Sequence, residues 1–332
     1  MENFNELYSL KGKTVVITGA SSGVGKATAE AFAMEGCNLV LAARGKEALD
    51  EAANDCRNLG TIALSIPTDV SDAEQVQNLT NEALKLNGRI DVWVNNAGVM
   101  ASGKFEEIPI ETTEQVIKTN LIGYINCAHS VLPIFKKQKE GVLLNNVSIG
   151  GYIPAPYSSA YSATKFGIRG MIQGLRAEIS NYPNIHISAL YPGLQRSTGN
   201  MHSSKYSGLD FKISPLAADP KVMADAMVRT AKRPKKNVYP NLSSWPLINI
   251  YRLFPDFIGA TAAAAMRLMM KKNTETDTDG NVLSPSKGSM QIYGETSLPP
   301  LSENTKKAIL IGAAFVTSFM IVKGVRKCKK KC

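Results

Sequence analysis

Cysteine is scarce and scattered in this chain: Cys37, Cys56, Cys127, Cys328 and Cys332, with no CxxC pair. Single thiols with no histidine at metal spacing argue against a zinc module or a disulfide framework, and free thiols suit a reducing compartment. Histidine is scarcer still. His129, His186 and His202 stand alone, which leaves no ligand set and no His-based catalytic arrangement. Met1–Lys13 lacks an apolar run, so no secretory signal is expected. A broadly basic surface is also missing. The net charge is +10, but the last ten residues, Lys323–Cys332, hold six Lys/Arg and no acid. Without them the balance is thirty-two basic residues against twenty-eight acidic ones. Nucleic-acid binding needs the excess spread over a face, so no nucleic-acid partner is expected. A basic tail suits a membrane or another partner better.

What remains is ordinary globular material, 44% hydrophobic and 20% charged over 332 residues, enough for one large α/β domain with appendages. Short β-branched or apolar runs alternate with amphipathic stretches. Strands are expected at Thr14–Thr18, Asn38–Ala43, Thr61–Ile66, Asp91–Asn95, Gly141–Val147 and Ile185–Tyr191. Helices are expected at Val24–Glu35, Lys46–Leu59, Ala73–Leu86, Thr113–Lys137 and Ala160–Ser180. Strand–helix alternation at this spacing predicts a doubly wound parallel sheet, an α/β Rossmann fold, with strands buried on both faces. Leu194–Leu216 reads as a long polar loop, Pro220–Lys232 as a helix and Asn237–Tyr239 as a last strand. The organisation is then one main domain over 1–240, an apolar and basic helical extension over 241–272, a flexible linker over 273–305, and a hydrophobic segment with a basic tail over 306–332.

The first strand runs directly into Thr18-Gly19-Ala20-Ser21-Ser22-Gly23-Val24-Gly25, and a helix follows at once. Glycine lets backbone approach a ligand closely, and the helix presents free N–H groups and the positive end of its dipole to the turn. Strand, turn and helix in that order make a pyrophosphate cradle. The second strand ends Ala42-Ala43-Arg44, without the acid that would bond a ribose 2′-hydroxyl. Arg44 offers a guanidinium fork for a 2′-phosphate instead, so the cofactor expected is NADP(H).

Tyr161 and Lys165 are four apart on a predicted helix and share one face. A free phenol has a pKa of ~10, and an adjacent ammonium lowers it toward useful acid/base range. Ser148 ends the preceding strand, Asn120 lies in the long helix before it, and Asn95-Asn96-Ala97-Gly98 ends the fourth strand. All fall near the C-terminal edge of the expected sheet, where open α/β folds bind ligands.

Over roughly Leu10–Tyr239 these motifs, in this order, resemble the short-chain dehydrogenase/reductase family. They are the TGxxxGxG turn at Thr18–Gly25, Asp69, the NNAG at Asn95–Gly98, Asn120, Ser148, the YxxxK pair Tyr161/Lys165, and Pro192-Gly193. The resemblance implies roles. Tyr161 gives or takes the substrate proton. Lys165 lowers its pKa and bonds the nicotinamide ribose, Ser148 holds the substrate oxygen, and Asn120 fixes a water in a proton relay. Asp69 faces the adenine, Asn96 lines the cofactor cleft, and Val70, Ala97, Gly98, Pro192 and Gly193 complete the cofactor-binding set. Ala43-Arg44 resembles the NADP-preferring members. One position departs: where many members carry a Thr four residues after the proline, this chain has Arg196. A carbonyl or secondary alcohol is the expected substrate, with a lipophilic one, such as a sterol or long-chain ketone, a further reading. The rival reading is an idle NADP-binding sensor or scaffold tethered to a membrane. A homo-oligomer through the long helices is expected.

Ala308–Val322 is fifteen uncharged, mostly apolar residues bracketed by Lys306-Lys307 and the basic tail. As a helix it would span ~22 Å, short of the ~30 Å of a bilayer core. A lysine able to snorkel extends it. The segment is expected to attach the chain to a membrane, spanning it or lying along it, with the catalytic domain in the cytoplasm. Packing on the body or on a partner is the alternative.

Overall fold

The computed structural model describes residues 9–209, 217–241, 244–269, 277–286, 290–294 and 305. In chain order the elements are β1 (Thr14–Thr18), α1 (Gly23–Met34), β2 (Asn38–Ala43), α2 (Lys46–Asn58), β3 (Ala63–Pro67), α3 (Ala73–Asn87), β4 (Val92–Asn95) and β5 (Ala101–Ser102). Then come α4 (Ile110–Ile117), α5 (Gly123–Gln138), β6 (Gly141–Asn146), α6 (Ser159–Glu178), β7 (Ile185–Leu190) and β8 (Ser204–Lys205). The described part closes with α7 (Pro220–Lys232), β9 (Asn237–Val238), α8 (Ser244–Leu253) and α9 (Pro255–Met269).

Seven strands form one parallel sheet in the order β3-β2-β1-β4-β6-β7-β9. Both faces are covered, so every residue of β1 is buried. Alternate side chains leave a strand on opposite faces. Val15 and Ile17 join Phe32 of α1 and Met223 and Met227 of α7. Val16, one residue over, joins Leu79 of α3, Phe135 of α5 and Ile168 of α6. Trp93 is wholly buried on that second face, and its indole N–H donates to Asn95 Oδ1 at 2.9 Å. Parallel register places Val16 beside both Val40 and Trp93, which aligns the C-terminal strand ends along one edge. Strand order reverses between β1 and β4, so a crevice opens above that pair. The doubly wound Rossmann architecture read from the sequence is the one observed.

Three regions differ from the sequence reading. The single long helix expected at Thr113–Lys137 is interrupted by a wide π turn over Lys118–Ile122, where the Gly123 N–H reaches the Lys118 carbonyl. Such bulges recur at functional sites, and this one carries Asn120. The loop after Gly193 contains β8, which pairs with β5 as a separate two-stranded sheet. Both strands are two residues long, too short to carry a period.

The third difference is larger. Residues 277–286 and 290–294 belong to the stretch read as a flexible linker, yet they lie on the main domain; we call them the strap. Val282 is fully buried with Val99, Ala101 and Val116. Thr278 pairs with Lys205, and Tyr293 with Ser197. The Asn281 N–H reaches the His202 carbonyl at 2.8 Å. Composition hides this because most of these contacts are made by main-chain atoms, whatever the side chains are. The 241–272 extension forms α8 and α9. Ala308–Val322 and the basic tail lie outside the described residues. Among those described, no helix is long and apolar enough to cross a membrane.

Candidate active site

The Gly-rich turn and the NNAG loop are laced together at the crevice. Thr18 Oγ1 donates to the Val94 carbonyl and accepts from the N–H groups of Asn96 and Ala97. Asn96 Nδ2 donates to the Thr18 and Gly19 carbonyls at 3.1 and 3.2 Å, and its Oδ1 accepts from Asn146 Nδ2 at 2.9 Å. A Cβ on Gly19, whose φ is +66°, would stand 2.7 Å from Ala97 Cα. Only glycine lets the two loops meet this closely. Helix α1 begins from Ser22 with no side-chain cap and no acid in its first turn. No side-chain charge neutralises its positive end, as suits an anion, and one N–H there, that of Gly23, is taken by the Gln291 carbonyl of the strap at 3.0 Å.

A cleft of about 780 Å³ opens here, within the range of small-molecule sites. Of the residues singled out from the sequence, Gly19, Ser21, Ser22, Gly23, Val24, Gly25, Arg44, Asp69, Val70, Asn96, Ala97 and Gly98 line it. Thr18 instead braces the loop from behind. Tyr161, Lys165, Pro192 and Gly193 are not among its lining. The Pro192 carbonyl accepts from the Ile149 N–H at 2.9 Å, so it steadies the segment that follows Ser148.

Asp69 accepts from the Ser71 N–H and hydroxyl at 2.9 and 2.7 Å, which fixes the end of the loop after β3. Arg44 is half-buried. Burial holds its guanidinium below the usual range, and Asp69 opposes that. Its Nη1 donates to the Val282 carbonyl at 3.0 Å and its Nη2 to the Asn281 carbonyl. The residue expected to read a 2′-phosphate thus also grips the strap.

Ser148, Tyr161 and Lys165 converge on Gly150. A Cβ there would lie 3.2 Å from Tyr161 Cε1, 3.5 Å from Ser148 Oγ and 3.7 Å from Lys165 Cγ. Ser148 holds φ 87° and ψ 156°, a region almost confined to glycine. Such backbone costs about 1–3 kcal/mol and persists where the surroundings over-determine it. Its Oγ accepts from the Gly150 N–H at 3.1 Å. Lys165 Nζ donates to the Asn146 carbonyl at 3.1 Å and lies 5.4 Å from the ring centres of both Tyr124 and Tyr161. Burial pushes Lys165 down to about 8. Burial also raises the Tyr161 phenol, opposed by a hydrogen bond with Ser148. This departs from the lowered phenol that the i, i+4 pairing leads one to expect. The ammonium is turned toward Asn146, and withdrawal from water disfavours both charged forms.

Asn120 is fully buried in the π turn. Its Oδ1 accepts from the Val99 N–H at 2.8 Å, and its Nδ2 donates to the Val99 carbonyl at 2.8 Å and to Thr164 Oγ1 at 3.3 Å. Its side chain ties the NNAG loop to α6, one residue before Lys165. Arg196 stacks on Tyr293 of the strap, 4.5 Å from guanidinium carbon to ring centre. Ser197 lines the cleft, and Thr198 Oγ1 donates to the Gln291 carbonyl at 2.9 Å.

Sequence reasoning missed several lining residues. Asn146 is the last residue of β6, a recognisable buried strand, and could have been found by its position. Lys46 opens the helix after Arg44. His202 and the strap residues carried no motif.

A family model described as short chain dehydrogenase matches residues 13–207. Two curated relatives are similar over most of the chain. A dehydrogenase/reductase SDR family protein 7-like of Anopheles gambiae is 30% identical, covering 69% of this chain and 75% of its own. The ketoacyl reductase HetN of Nostoc sp. is 30% identical, covering 71% and 80%. Among solved structures, a short chain dehydrogenase/reductase from Burkholderia phymatum in complex with NAD superposes with TM-score 0.67 at 23% identity, over 75% of this chain and 96% of that one. An alcohol dehydrogenase from Thermococcus sibiricus complexed with 5-hydroxy-NADP gives 0.61 at 27% identity, over 69% and 96%. The chain belongs to the short-chain dehydrogenase/reductase family, a family of oxidoreductases.

Proposed function

We propose that this protein is an NADP(H)-dependent reductase of a carbonyl substrate, with Tyr161 the proton donor, Ser148 the group that holds the substrate oxygen, and Lys165 the cation beneath them. The observation that carries this reading is the convergence of those three side chains on Gly150. The cleft fits a dinucleotide on its own evidence. Glycine at position 19 lets the Gly-rich turn close against the NNAG loop, and α1 starts at the cleft with no side-chain cap and no acid in its first turn. When bound, NADPH supplies the hydride.

The protein's part is orientation and proton supply. Ser148 and the Tyr161 hydroxyl together grip the carbonyl oxygen, and Tyr161 gives it a proton as negative charge develops there. Lys165, close to the phenol ring, stabilises the phenolate left behind and offers donors to a ribose hydroxyl. Asn120 holds α6 and the NNAG loop in register for this. Burial keeps the phenol protonated, and the protonated form is the one that donates to a carbonyl oxygen. An idle sensor would have no use for this set, and a chain that never consumes NADPH with any carbonyl would point to one.

NADP(H) rather than NAD(H) is supported by Arg44 at the end of β2 and by Ala43 where an acid would stand. Two of the guanidinium's donors are spent on the strap, and the others remain available, since the group carries five. The test is kcat/KM with each cofactor. The expected result is a strong preference for NADPH that Arg44→Ser erodes by about tenfold or more. Equal use of both by the parent would refute the preference.

A lipophilic substrate and a membrane location fit the surface of α8 and α9. Trp245, Leu253 and Phe257 are 60, 73 and 62% exposed there, an uncommon concentration of large apolar side chains. The apolar run and basic tail act in the same direction. Exposed Ile125 on α5 and Phe166 on α6 support self-association through the long helices. Sedimentation should show an oligomer that Phe166→Glu dissociates. A monomeric parent would contradict this.

A further inference from the structure

We infer that the strap is part of the nucleotide site: Asn281 and its neighbours form the outer wall for the adenosine half of the cofactor, fastened to the inner wall by Arg44. The inference rests on the dinucleotide reading given above and extends it to a segment outside residues 13–207, the family-matched region.

Four observations carry it. First, the strap roofs the cleft without filling it. Asn281, Ser284, Pro285 and Met290 face the same 780 Å³ space as the Gly-rich turn, Arg44 and Asp69. Second, the fastening is made at the cofactor-binding elements themselves. Arg44 donates to the carbonyls of Asn281 and Val282, and the Gly23 N–H at the start of α1 donates to the Gln291 carbonyl at 3.0 Å. Third, the seat is shaped for this chain. Gly280 has φ +51°, and a Cβ there would come within 2.6 Å of the Ser203 carbonyl carbon. Val282 is sealed into an apolar cluster beside it.

Fourth, Asn281 Oδ1 is buried with no hydrogen-bond partner. Leaving such an acceptor bare costs about 1–3 kcal/mol, so it calls for an explanation. It stands next to the Arg44 contact, on the wall of the cleft. A ribose hydroxyl or an adenine amine is a donor of the kind it lacks. The Ser284 hydroxyl adds a further polar group at the same end. The remaining Arg44 donors and this wall would then enclose the phosphorylated ribose from two sides. A nucleotide held this way leaves slowly, because the strap must lift before it can go.

The experiment uses the full chain and three probes: NADPH, the adenosine-half fragment 2′,5′-ADP, and reduced nicotinamide mononucleotide, which lacks that half. Dissociation constants come from titration and NADPH release rates from displacement by excess 2′,5′-ADP. Asn281→Ala should weaken NADPH and 2′,5′-ADP by about three- to tenfold and leave the mononucleotide unchanged. Gly280→Ala, which cannot seat the strap, should speed NADPH release by more than Asn281→Ala does. Melting curves on each variant establish that the domain is folded. If both variants bind and release NADPH as the parent does, the strap is not part of the site, while the cofactor reading stands. If they bind NADPH more tightly, the strap is an obstruction and the inference is overturned. If the parent binds neither NADPH nor 2′,5′-ADP, the cofactor reading itself falls.

Discussion

At the scale of single residues, the site stores its chemistry in groups that the fold holds at a cost. Lys165 is the clearest case. Its folded pKa is about 8 against an ordinary 10.5. Between those values the unfolded chain keeps a proton that the folded chain has released, so stability rises with pH across that window. Below it, where the folded lysine is charged, the full penalty is present. Lys165→Met should therefore melt higher than the parent near neutral pH, by about 1–3 kcal/mol in stability, and turn over no substrate. The Asn146 carbonyl is not orphaned by this change, because Tyr124 Oη also donates to it, at 2.9 Å. Melting curves from neutral to alkaline pH check the sign. The gap should narrow as pH rises, and a variant less stable than the parent at neutral pH would refute the burial argument. Ser148 shows the same economy in its backbone, with a glycine-like φ kept by the residue whose hydroxyl we assign to the substrate oxygen.

At the scale of elements, legibility followed the range of the interactions. The sheet was readable because β1, β4 and β6 are short apolar runs whose burial on both faces leaves no polar alternation. The crevice was readable because turn, strand end and helix start are contiguous in sequence. The π turn around Asn120 was not, since the same apolar spacing suits a regular helix, and the geometry is set by contacts to Val99 and Thr164. The strap was least legible. Most of its anchors are main-chain groups, and its fully buried apolar side chain, Val282, finds partners at Val99, Ala101 and Val116, far away in sequence. Two truncations follow from this. A chain ending at Gly294 keeps the strap and should melt as the full protein does. A chain ending at Lys272 loses it, uncovers that cluster, and should melt several degrees lower with weaker NADPH binding. Identical melting of the two would show that the strap contributes nothing to the folded state.

At the scale of the whole molecule, the cleft opens at the C-terminal edge of one parallel sheet, and the proposed proton donor Tyr161 stands on α6 beside it. The chain beyond the sheet adds a roof on one side and exposed apolar helices on another. Loss of the segment beyond Gly294 is expected to release the protein from membranes without touching catalysis, and fractionation reads this directly. The central claim is that hydride transfer here depends on a proton from Tyr161. The most direct measurement is a pair of traces from the parent and from Tyr161→Phe, each mixed with NADPH and a panel of ketones and aldehydes. NADPH binding and NADPH consumption are followed in the same samples. The parent should consume NADPH with a matching yield of alcohol. The variant should bind NADPH with an unchanged dissociation constant and consume none. Consumption by Tyr161→Phe at a rate near the parent's would contradict the account.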